Sequence, residues 1–126
     1  MIKAPSMKTI VLGASPNPSR HSHRVTIMLL QQGYEVVPMG IRKGRIVDND
    51  IVDLRSQPTI ENVHTITLYL SVANQQSWYQ YILDLNPLRI IFNPGTENPE
   101  LRKMAKEKGI ATEEACTLVM LTVDTY

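Results

Sequence analysis

Lys8-Thr9-Ile10-Val11-Leu12-Gly13-Ala14-Ser15-Pro16-Asn17-Pro18-Ser19-Arg20 is the stretch on which the fold turns. Lys8 to Leu12 is an apolar run of strand length that stops at a glycine, the pattern of a short buried strand. Ala14 to Ser19 is dense in turn and cap residues. From Arg20 to Gln32, Val25, Met28, Leu29 and Leu30 share one side of a helix. Asn17 or Ser19 is suited to cap that helix, with Pro18 tolerated at its first position. Gly33 is a natural terminator, and Tyr34 to Pro38 then reads as a second strand. A strand, helix and strand in this order imply parallel pairing with a right-handed crossover.

The alternation continues outward. Arg42 to Gln57 is polar and irregular, with Gly44 and Asp48-Asn49-Asp50 marking turns and Ile51 to Leu54 a short edge strand. Val63 to Leu70 is the clearest strand of the chain, Val72 to Asp84 a helix, and Arg89 to Phe92 a further strand. Asn98 to Lys108 is a charged helix closed by Gly109, and Thr117 to Val123 is apolar enough for either element. The expectation is one α/β domain over 1–126: a Rossmann-like, doubly wound, mostly parallel sheet of about five strands with helices on both faces.

Composition narrows the function. The chain has 126 residues, 43% hydrophobic and 20% charged, with thirteen basic and twelve acidic side chains and a net charge of +1. That balance argues against a nucleic-acid-binding field. Met1 to Ser6 lacks the apolar core of a signal peptide, and no stretch approaches the ~20 apolar residues of a membrane span. The single cysteine fits a reducing, cytoplasmic setting. Cys116 has no local histidine or paired cysteine to activate it. His21 and His23, two apart, face different sides of a helix and make a poor metal pair. Trp78, Tyr79 and Tyr81 belong to a core, or to a homodimer contact. No catalytic constellation emerges.

In an open parallel sheet, ligands bind beyond the carboxyl ends of the strands. Four loops qualify. In the first, Gly13 permits a tight turn, Ala14 keeps the surface small, and amides around Ser15 to Arg20 point toward an anion with the helix dipole. Ser15, Asn17, Ser19 and Ser22 add polar side chains. In the second, Pro38-Met39-Gly40-Ile41 is followed by Arg42, Lys43 and Arg45 rather than by the acid that NAD domains use to hold ribose hydroxyls. These cations favour a ligand with a phosphorylated ribose, as in NADP or coenzyme A. Leu70 and Ser71 stand in the third loop, Asn93 and Gly95 in the fourth.

Val11 to Arg20, the run Ser22-His23-Arg24-Val25, Gly33 to Pro38, and Asn93-Pro94-Gly95-x-Glu97-Asn98 together resemble the small stand-alone CoA-binding domains. Those domains are similar to the N-terminal domain of the succinyl-CoA synthetase alpha subunit. The resemblance implies a Rossmann fold that binds coenzyme A, an acyl-CoA or a related 3′-phospho-ADP compound. It implies that Gly13, Ala14, Ser15 and Arg20 face the phosphates, Pro38 and Met39 border the adenosine, and Arg42 lies near the ribose phosphate. The chain departs from that pattern at Gly40-Ile41, at Tyr69-Leu70-Ser71 and at Glu114 to Leu118, the last two being places where relatives carry cations. A non-catalytic binding module is the function expected. An NADP-dependent reductase, a ligase component, and a degenerate domain acting through protein contacts are the alternatives.

Overall fold

The computed structural model describes residues 7–126; Met1 to Ser6, on which the signal-peptide expectation rests, lie outside the described residues. Strand β1 (Thr9–Leu12) and helix α1 (His21–Gln31) lead into β2 (Val36–Gly40). A two-stranded hairpin, β3 (Arg45–Ile46) with β4 (Asn49–Asp50), precedes the short strand β5 (Val52–Asp53). Then come β6 (Thr65–Leu68), α2 (Val72–Gln75), α3 (Tyr79–Asp84), β7 (Arg89–Phe92), α4 (Pro99–Glu107), β8 (Ala111–Glu114) and α5 (Thr117–Thr122).

The main sheet has the order β5-β2-β1-β6-β7-β8 with every neighbouring pair parallel. Counted along the chain this is the 3-2-1-4-5-6 order of doubly wound nucleotide-binding sheets, with its switch point between β1 and β6. Because side chains alternate across a strand, Ile10 and Leu12 of β1 face one layer and Val11 the other. The first layer joins them to Ile66, Leu68, Ile90 and Phe92 beneath Ile82 of α3 and Leu101 of α4. The second joins Val11 and Val36 to Val25 and Leu29 of α1 and Leu121 of α5. Strands β1 and β6 are buried along their whole length, which explains why their sequences are apolar or threonine throughout.

Two expectations need correcting. The sheet has six strands rather than about five: Ala111-Thr112-Glu113-Glu114 forms the far edge, pairing with β7 in register from Arg89↔Ala111 to Phe92↔Glu114. Its side chains are largely exposed, so it carries no apolar period to read. The helix foreseen over Val72 to Asp84 is broken into α2, a 3-10 turn at Gln76–Trp78, and α3. Tyr81, on α3, is buried and donates its hydroxyl to Pro58 O at 2.6 Å, so it serves the core and not an outer contact.

Candidate functional site

The loop after β1 is held from below. Gly13 and Ala14 both donate their N–H to Met39 O, at 2.8 and 2.9 Å, and Tyr69 donates its own to Leu12 O at 2.8 Å. The chain therefore turns sharply at Gly13, whose φ of +105° suits glycine. A Cβ there would stand 2.8 Å from the main-chain carbon of Tyr69, and one at Gly40 2.5 Å from Ala14 O. These two glycines let three strand ends converge at the switch point.

Helix α1 begins at His21, one residue after Arg20, where the sequence pattern opens it, and neither Asn17 nor Ser19 is its cap. Asn17 Oδ1 accepts from Ser19 N at 3.0 Å and from Ser19 Oγ at 2.8 Å, closing the preceding turn on itself. The cap position falls to Arg20, which offers no side-chain hydrogen bond to the helix end. His23 N–H and Arg24 N–H both reach Arg20 O. Ahead of them, His21 and Ser22 present the leading amides of an 11-residue helix. The buried His23 ring pins this approach, with Nδ1 2.9 Å from Ser15 O.

That helix end opens on a cleft of about 380 Å³. Gly13, Ala14, Ser15, Arg20, Ser22, Arg42, Leu70 and Ser71, all anticipated, line it, joined by His21, Ile41, Tyr69 and Asn74. No carboxylate is among them. Arg20 and Arg42 are exposed, and neither forms a salt bridge among the described residues. Asn74 escaped sequence reasoning because its position depends on α2, where the Ser71 hydroxyl accepts Asn74 N–H at 3.4 Å.

The other anticipated residues stand around the cleft rather than in it. Asn17 and Ser19 belong to the turn described above. Pro38 and Met39 are buried within β2 and shape the loop through the main chain. Gly95 N–H is tied to Glu97 Oε1 at 2.7 Å. Asn93 is buried, its Nδ2 donating to Thr67 Oγ1 at 2.7 Å and Leu68 O at 3.0 Å. A buried bridge that no motif announced holds the loops after β6 and β7: Gln75 Nε2 donates to both Leu70 O and Thr96 O at 2.9 Å.

Gly40 instead lines a second hollow with Ile41, Arg42, Lys43, Ile51, Asp53 and Arg55. It continues the cleft across Ile41 and Arg42. The acid missing after the second strand arrives here from β5, where Asp53 pairs in register with Gly40. Its carboxylate takes the Arg55 guanidinium, Nε at 3.0 Å and Nη2 at 3.3 Å. Hydrogen bonds from the Arg55 side chain and main chain hold Asp53 below its ordinary range. With Asp53 matched to Arg55, the hollow keeps the positive charges of Arg42 and Lys43.

Elsewhere, no group of three or more His, Cys, Asp or Glu among the described residues could hold a metal ion. No helix there is long and apolar enough to cross a membrane.

Among solved structures, the chain is similar to an uncharacterised protein studied by crystallography, with 43% identity, a TM-score of 0.93, and 98% of this chain and 100% of that chain covered. It also resembles Prb, a protein redesigned for binding (20% identity, TM-score 0.83, 96% and 84% covered). A Thermus thermophilus protein is similar at 23% identity, TM-score 0.78, with 96% and 91% covered. At that distance the last two speak for the fold alone. No curated protein matches. The family model described as CoA binding domain matches residues 7–122, which takes in both layers of the core and every residue of the cleft. The chain belongs to the CoA binding domain family.

Proposed function

We propose that this chain is a non-catalytic module that binds coenzyme A or an acyl-CoA, with the diphosphate at the N-terminus of α1 and the ribose 3′-phosphate beside Arg42 and Lys43. One observation carries it: a helix end without a side-chain cap opens on a cleft whose two arginines have no acidic partner among the described residues. Main-chain amides and the helix dipole favour an anion there, and guanidinium groups match phosphate geometry. The hollow beyond Arg42 lies at the carboxyl ends of β2 and β5, where a nucleotide's ribose is expected. Family membership favours coenzyme A over NADP. The cleft's lining offers no carboxylate, and its one imidazole, His21, has no hydrogen-bonded acid or nucleophile among the described residues, which supports a binding role.

Thermal unfolding with coenzyme A, dephospho-CoA, NADP, NAD and ATP in parallel tests this. Coenzyme A at a hundredfold excess over its Kd should add about 2.7 kcal/mol of apparent stability. Dephospho-CoA at the same concentration should give a clearly smaller shift. Equal shifts with and without the 3′-phosphate would remove Arg42 and Lys43 from the site, and a response to NADP alone would replace the ligand.

A further inference from the structure

Beside the cleft lies a smaller hollow of about 170 Å³, walled by His21, Tyr69, Asn93, Pro94, Cys116 and Leu118. His21 and Tyr69 also line the cleft, so the two spaces meet across those side chains. The polar groups of the smaller one are already committed. Asn93 donates to Thr67 and Leu68, and its Oδ1 accepts Thr117 N–H at 2.9 Å. The Tyr69 hydroxyl is turned toward Thr67 and Thr117, and burial raises its pKa. Besides the His21 imidazole, the hollow is faced by the Tyr69 ring, a pyrrolidine, a leucine and a thiol. An apolar cavity of about 150 Å³ is large enough to hold benzene.

We infer that this hollow takes the branched, apolar segment that follows the diphosphate in coenzyme A, and that it separates coenzyme A from dinucleotides. The inference rests on the ligand reading above. In coenzyme A, one oxymethylene joins the diphosphate to a carbon bearing two methyl groups, so an arm leaving the N-terminus of α1 brings those methyls to the neighbouring space. In NADP, the same distance from the diphosphate is occupied by a second ribose. Its hydroxyls would meet committed groups and apolar surface with only the His21 imidazole to answer them, and unpaired polar groups are costly to bury.

Titration calorimetry with acetyl-CoA and with adenosine 3′-phosphate 5′-diphosphate (3′-phospho-ADP), which keeps every phosphate but lacks the arm, tests the assignment in the unaltered chain and in Leu118→Trp. Acetyl-CoA should bind the unaltered chain at least about tenfold more tightly, the worth of two buried methyl-sized groups. Leu118→Trp, which fills the hollow, should remove that advantage while 3′-phospho-ADP keeps its affinity. Equal weakening of both ligands, or no change in either, overturns the inference. Alkylation of Cys116, the chain's single cysteine, gives a second readout without mutation. Acetyl-CoA at ten times its Kd should slow it about tenfold, whereas 3′-phospho-ADP at ten times its own Kd should leave it unchanged. Equal protection by both counts against the hollow. If neither ligand binds the unaltered chain, the nucleotide reading itself falls, and the hollow's role falls with it.

Discussion

The two ends of the sheet use arginine and tyrosine in opposite ways. At the amino end, Arg89 opens β7 with Nε on Thr65 Oγ1 at 2.7 Å and Nη1 on Glu113 at 3.2 Å, its guanidinium 4.5 Å above the Tyr126 ring. Tyr126 packs edge-on against Tyr34 at 5.1 Å and shares a 2.5 Å hydrogen bond with Thr9 at the start of β1. Nη2 of Arg89 has no hydrogen-bond partner among the described residues, but stacking on an aromatic face suits a guanidinium. At the carboxyl end, Arg20 and Arg42 line open space beside Tyr69, and neither forms a salt bridge among the described residues. One end is sealed by matched groups, and the other keeps unmatched charge beside free main-chain amides. An exposed arginine says little alone; its partners decide whether it serves the fold or a ligand.

That contrast can be broken at either end. The largest effect belongs to Gly13→Ala. A positive φ and a backbone carbon 2.8 Å from the new Cβ should together cost about 2–5 kcal/mol in urea unfolding. Ligand binding should be lost in the same variant even where it still folds, because the turn that aims the loop is gone. Unchanged stability would mean that β1 and β6 can separate without penalty.

A smaller effect is expected at the sealed end. Tyr126→Phe removes the hydrogen bond to Thr9 and should cost about 1 kcal/mol, with no change in coenzyme A affinity. Burial raises the hydroxyl pKa of Tyr126 above the ordinary 10.0, as it does for Tyr69. The folded chain therefore holds these protons to higher pH than the unfolded chain does. Their contribution is complete below pH 10 and is lost as the pH climbs through the raised values. Tyr126→Phe should flatten the alkaline loss of stability; an identical pH curve would mean that Tyr126 is not packed as described.

How much of this was legible depended on whether a residue's partner lay nearby in the chain. The opening strand, its glycine turn, the first helix and the second strand could be read because each carries a local signal. So could α4, whose Asn98 caps Glu100 N–H and Leu101 N–H ahead of Pro99 in its first turn. Strand β8 was hidden because an exposed edge needs no apolar period. The missing cap of α1 was hidden because Asn17 closes a turn on Ser19 and leaves the helix without a side-chain cap. The edge strand read at Ile51 to Leu54 contains β5, but the match of Asp53 with Arg55 is a side-chain pairing that strand pattern does not announce. The Gln75 bridge and the hollow at Cys116 depend on pairings 21 and more residues apart, and spacing rules do not reach them.

Amide resonances followed during titration with coenzyme A test the central claim most directly, because they report both sheet ends at once. Saturable shifts should concentrate at Gly13 to Ser15 and at Arg20 to Ser22, with Arg89 and Tyr126 unmoved. Shifts confined to the amino end, or none at the leading turn of α1, would contradict an anion held by that helix.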